Sequence, residues 1–128
     1  MEKIKSRLLR HGYTFTESKE KLFIDCGYKL IVILDFSDNK LKFYNKLKKW
    51  NLLCGVLSIG IFQAVFVNFI FFVLFSVLTT MLFIKDFNIY FLLLLSFYFM
   101  SFVLLSFIGM LYFIRYEFMK VQITNWLD

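Results

Sequence analysis

The sequence predicts a membrane protein of mixed α and β structure: a small N-terminal antiparallel β-meander with a short helix, followed by a two-helix transmembrane hairpin. Three observations predict it. The chain is 60% apolar and 22% aromatic, with 19 Phe and no Pro, where soluble chains hold roughly 45 to 50% apolar residues. Residues 51–84 and 87–114 contain no Asp, Glu, Lys or Arg, and each run exceeds the roughly 20 residues needed to cross hydrocarbon. The first fifty residues, by contrast, are charged and alternate with a period of two.

The opening residues 2–11 read as a short helix, with Ile4 and Leu8 four apart and Gly12 placed to end it in a left-handed conformation. The period then changes. Tyr13 and Phe15 alternate with Thr14 and Thr16 as a first strand, and residues 17–20 form a polar turn. Residues 21–26 are a second strand, broken by Gly27, and residues 28–36 a third, rich in Ile, Val and Leu. Ser37, Asp38, Asn39 and Lys40 favour a tight turn. In the fourth strand, 41–47, Leu41, Phe43 and Leu47 share one face, while Lys42, Tyr44, Lys46 and Lys48 share the other. That alternation marks a sheet buried on one side. Fifty residues bury only about 60% of their unfolded surface, so this sheet needs support from the membrane surface or a second copy.

A helix of 34 residues would be roughly 51 Å long against a hydrocarbon core of about 30 Å. Part of the first run therefore lies outside the bilayer: Trp50, Asn51, Cys54, Gly55, Ser58, Gly60 and Gln63 crowd its start. The span itself is expected from Ile61 to Ile84, with a kink near Gly55 or Gly60. The second run suits one tilted span, flanked by Tyr90, Tyr112, Tyr116 and Trp126 as interfacial aromatics. The domain organisation is thus 1–50, a basic cytoplasmic helix and four-stranded sheet; 51–114, the hairpin, with its turn at 85–88; and 115–128, a cytoplasmic tail expected as an interfacial helix, with a returning strand over 120–124 as the alternative.

Charge sets the orientation. Residues 1–50 hold twelve of the fifteen Lys and Arg and six of the nine acids, a net of +6, and the remainder is neutral. Lys and Arg gather on cytoplasmic flanks, so both termini are expected inside. No short apolar stretch with a small-residue cleavage site opens the chain, which argues against a cleaved signal. The Phe, Ile, Lys and Asn bias points to an AT-rich bacterial genome, and hence to a bacterial inner membrane.

Chemistry is sparse. His11 is the single histidine, so His-pair metal sites are excluded, and Arg7 with His11 reads as two solvated polar residues. Neither a phosphate-cradling glycine loop nor a nucleophile elbow occurs. No catalytic residue, cofactor or metal is expected, and Cys26 and Cys54 read as free thiols. Two groups remain. Lys40, Lys42, Tyr44, Lys46, Lys48 and Lys49 form a basic surface for an anionic leaflet, each cation near it being worth about 1 kcal/mol; a nucleic acid or nucleotide stacking on Tyr44 is the weaker alternative. Asn68, Ser76, Thr79 and Thr80 on the first span, with Tyr98, Ser101, Gly109 and Tyr112 on the second, are expected to pack helix on helix or to line a pore. No charged residue lies inside either span, which argues against a proton relay or coupled transporter.

The function expected is a non-enzymatic inner-membrane protein with a cytoplasmic sensing or interaction domain, acting as a homo-oligomer or as an accessory subunit of another membrane protein. At the level of architecture alone, a small cytoplasmic domain on two membrane helices resembles the membrane effectors of bacterial anti-phage systems. That resemblance implies the alternative, an oligomeric pore. The topology has a direct test: in intact cells an impermeant thiol reagent should label Cys introduced at Asn88 and leave Cys26 unlabelled, and labelling of an N-terminal tag from outside would reverse the orientation.

Overall fold

The computed structural model describes residues 2–37, 40–83 and 89–127. Helix α1 (Glu2–Arg10) buries Ile4 and Leu8 on one face. It ends in a Schellman motif: the Tyr13 amide donates to the Leu8 carbonyl at 3.0 Å, the Gly12 amide to Leu9 at 3.1 Å, and Gly12 takes φ +74°. Strands β1 (Thr14–Ser18), β2 (Lys21–Asp25), β3 (Leu30–Asp35) and β4 (Lys42–Leu47) follow as an antiparallel sheet in the order β1-β2-β3-β4. The meander predicted from alternation is therefore present. Two limits differ from expectation. Glu17 and Ser18 pair with Leu22 and Lys21, so the first turn shrinks to Lys19 and Glu20. The third strand begins at Leu30, because Tyr28 and Lys29 adopt positive φ and form the turn itself.

The register places Leu22, Ile24, Leu30, Val32, Leu34 and Leu47 on one face, all fully buried. Ile4 and Leu8 of α1 cover part of it. The rest is covered from the far end of the chain. Helix α2 (Ile61–Phe83) is followed by α3 (Ile89–Leu127), 39 residues without interruption, about 58 Å at 1.5 Å per residue. Its last turns bring Tyr116, Met119, Ile123 and Trp126, spaced three, four and three, into the same core as the sheet. The tail expected to lie in the interface is helical through Leu127, and its apolar stripe meets protein. His11 stacks on Trp126 with ring centroids 5.2 Å apart, and the Lys3 ammonium donates to the Leu127 carbonyl at 3.3 Å.

Helices α2 and α3 pack as a hairpin, and both are long and apolar enough to cross a membrane. The turn expected at 85–88 lies outside the described residues. Aromatic pairs run along the seam: Phe62 with Phe113, Phe69 and Phe72 with Phe102, Phe75 with Tyr98, and Phe83 with Phe91. The helices come close at Gly109, where an added Cβ would stand 2.7 Å from Val65 Cγ2. Residues 51–60 hold no helix and no kink. They close a loop instead, which begins and ends beside Leu47: the Leu47 amide donates to Ile59 at 2.8 Å, and the Ser58 hydroxyl to Leu47 at 2.8 Å.

Burial at Ile123 and exposure at Val121, two residues away on the same helix, give a paired test. Ile123→Ala should destabilise the solubilised chain by about 2 to 5 kcal/mol through transfer and cavity terms, whereas Val121→Ala should stay within about 0.5 kcal/mol. Denaturant unfolding of a Trp50→Phe background, followed by Trp126 fluorescence, measures both. Equal effects would remove α3 from the core of the domain.

Candidate functional site

Lys42, Tyr44 and Lys46 stand exposed on the outer face of β4, as alternation requires. Register sets them beside Asp35, Ile33 and Ile31 of β3, and then Lys21, Phe23 and Asp25 of β2. The outer face is therefore an apolar row of Phe23, Ile31 and Ile33, partly exposed, with Tyr44 and charges at its margins. Lys48 continues on this face, lining a cavity with Phe23, Asp25 and Ile31, and pairs with Asp25. Lys42, Tyr44, Lys46 and Lys48 thus share the outer face, with Lys40 and Lys49 exposed at the two ends of the strand.

Acids of the sheet are held ionised by these cations. The Lys21 ammonium, 2.9 Å from Asp35, and then the hydroxyl and amide of Ser37 lower the Asp35 carboxyl to about 2. Asp25 is lowered chiefly by its hydrogen bond from Lys48.

The hairpin residues fall into distinct roles. The Asn68 amide donates to the Leu53 carbonyl at 2.7 Å, tying α2 to the 51–57 loop. Leu53 is buried between the helices, its methyls 3.7 Å from the position of a Gly109 Cβ. Thr79 is buried, and Ser76 keeps its hydroxyl shut from the surface with no hydrogen-bond partner. Thr80 is exposed and donates to the Ser76 carbonyl at 2.8 Å. Tyr98 packs on Phe75, and Ser101 lines a small cavity with Asn68. The Tyr112 hydroxyl reaches out of the hairpin to the Tyr28 carbonyl at 2.8 Å. Gly109, Thr79 and Tyr98 thus serve packing, while Asn68 and Tyr112 fasten the hairpin to the segments that precede it.

Asn45 was not singled out by alternation, yet it is central to this junction. Its side-chain oxygen accepts the Ile61 amide at 2.9 Å, capping α2 from within β4, while the Gln63 side chain accepts the Gly60 amide at 3.0 Å. The signal was present in Gly60 and Gln63, three apart at the head of an apolar run. The long-range partner had no local trace.

Among the described residues no group of three His, Cys, Asp or Glu side chains is placed to hold a metal ion. Cys26 and Cys54 are free, and burial pushes the Cys26 thiol up to about 11. A thiol held that high is a poor nucleophile, so an unlabelled Cys26 is expected on either side of a membrane. An N-terminal tag reports topology more cleanly. Comparison with known protein families, curated proteins and solved structures finds no match to the chain.

The lowered carboxyl of Asp35 carries a signed pH dependence. A group whose folded pKa lies below its ordinary value of about 4 contributes stability above that value, and loses it as pH falls from about 4 to about 2. Asp35→Asn should lower stability at neutral pH and flatten this acid limb, read as unfolding midpoints at pH 7, 4 and 2.5. An unchanged limb would show that Asp35 does not contribute to it.

Proposed function

We propose that the chain is a non-enzymatic protein of a bacterial cytoplasmic membrane, with both termini in the cytoplasm, whose sheet domain is an interaction or sensing module working in a homo-oligomer or as an accessory subunit. The observation that carries this reading is the hydrogen bond from Asn68 to Leu53. An amide in an apolar span needs partners, and Asn68 commits one of its two donors to a carbonyl of its own chain, which favours an anchoring role over a pore lining. The oligomeric pore is the alternative read from the sequence.

Three further features support the placement. Only 11% and 6% of the most apolar windows of α2 and α3 are buried within the chain. A soluble protein does not leave two such helices bare. The net charge of +6 sits before the first span, as expected of a cytoplasmic flank. The outer sheet face, with Phe23, Ile31 and Ile33 beside Tyr44 and Lys46, is uncovered and suits an acidic partner with an apolar centre.

Reconstitution tests the reading. Vesicles holding the wild-type chain should retain trapped dye, and Asn68→Leu should leave that retention unchanged. The substitution should instead free the 51–57 loop, raising its protease sensitivity at a cost of about 0.6 to 2 kcal/mol, the range for hydrogen bonds in membranes. Dye leakage by the wild-type protein that disappears in an intact Asn68→Leu oligomer would establish the pore and remove the anchored-module reading.

A further inference from the structure

Four non-glycine residues among those described have positive φ, and three of them, Tyr28 (49°), Lys29 (65°) and Trp50 (59°), meet where the domain joins the hairpin. Left-handed backbone is disfavoured for residues with a Cβ, and here surrounding bonds impose it. The Lys48 amide donates to the Lys29 carbonyl at 2.7 Å, the Lys29 ammonium donates to the Trp50 carbonyl, and the Tyr112 hydroxyl holds the Tyr28 carbonyl. Strain fixed in this way concentrates where a structure presents groups for a purpose.

What it presents is a ledge. The Tyr28 ring, 71% exposed, lies under the guanidinium of Arg115, 4.0 Å from its centroid. A guanidinium held over a ring keeps five N–H donors in a planar fork suited to a phosphate. No carboxylate forms an ion pair with Arg115 among the described residues, and no acid lines the ledge. Beneath it, Leu52, Ile108 and Leu111 form an apolar wall bounding a groove of about 310 Å³, continuous through Tyr28 and Leu52 with a second of about 470 Å³ under Trp50 and Lys29. Arg115 is the first charged residue after the 87–114 run. The ledge therefore sits where hydrocarbon would give way to headgroups.

Cations above and an apolar wall below match one amphiphile. We infer that this ledge binds an anionic phospholipid, its phosphate on Arg115 and Lys29 and an acyl chain along Leu52, Ile108 and Leu111. The inference rests on the proposed membrane placement of α2 and α3, and it differs from general attraction of the basic domain to a charged leaflet in requiring one built site.

Trp50 is the reporter. With Trp126→Phe it becomes the single tryptophan of the chain, and quenching by brominated lipids in reconstituted vesicles reads which lipid occupies the ledge. Brominated phosphatidylglycerol should quench at about fivefold lower mole fraction than brominated phosphatidylcholine, the factor equivalent to ~1 kcal/mol for a cation at the surface. Arg115→Gln should abolish the preference. So should Tyr28→Gly, which relieves the positive φ and therefore folds readily. Equal quenching by both lipids, or a preference that survives both substitutions, would overturn the site while leaving the spans standing. Abolition of the preference by millimolar inorganic phosphate would reassign the ledge to a soluble anion. Absence of quenching by either lipid would overturn the membrane placement itself.

Discussion

A four-stranded sheet with one apolar face cannot close a core alone, and the structure follows from how this chain closes it. Helix α1 supplies only Ile4 and Leu8. Tyr116, Met119, Ile123 and Trp126 arrive from the other end of the sequence on the last turns of α3. The two ends of the chain are thus one hydrophobic unit. Removing the final helical turns would open the core they share with the sheet to water.

The same constraint explains the loop at 48–60. The chain must pass from β4 into α2 while α2 packs against α3, and α3 must stay docked on the sheet. Asn45 caps α2 directly from the strand, Leu53 fills the space between the helices at Gly109, and Asn68 binds the Leu53 carbonyl. Each contact joins the sheet side to the hairpin side. The helices are consequently fixed to the domain at several points rather than hung from a linker, and the strained residues Tyr28, Lys29 and Trp50 fall where those constraints converge.

Much of this was legible in the sequence, and the omissions have physical causes. Strand alternation gave the meander and the buried face, because a period of two is a local property. The small and polar residues crowding the head of the first charge-free run gave α2 its start at Ile61. The register of Tyr116, Met119, Ile123 and Trp126 was equally visible, but an apolar stripe beyond an apolar span fits either lipid or protein, and only the fold decides. The candidate residues show the same division: Lys42, Tyr44 and Lys46 lie on the face that alternation assigns, whereas the Lys48 pair with Asp25 and the Asn68 bond to Leu53 depend on distant segments meeting.

An uninterrupted α3 also has a mechanical consequence. A helix that continues from the hairpin into the domain core, without a Pro or a break, resists bending, so a tilt or shift of its apolar part must be carried to Ile123 and Trp126. The sheet can yield little in response, since its inner face is closely packed and interiors transmit strain rather than absorb it. The outer face follows, because its residues alternate with the inner ones on the same strands. Phe23 and Ile33 sit between Leu22, Ile24, Val32 and Leu34. A shift of α3 would therefore reach the strands that carry both faces of the sheet.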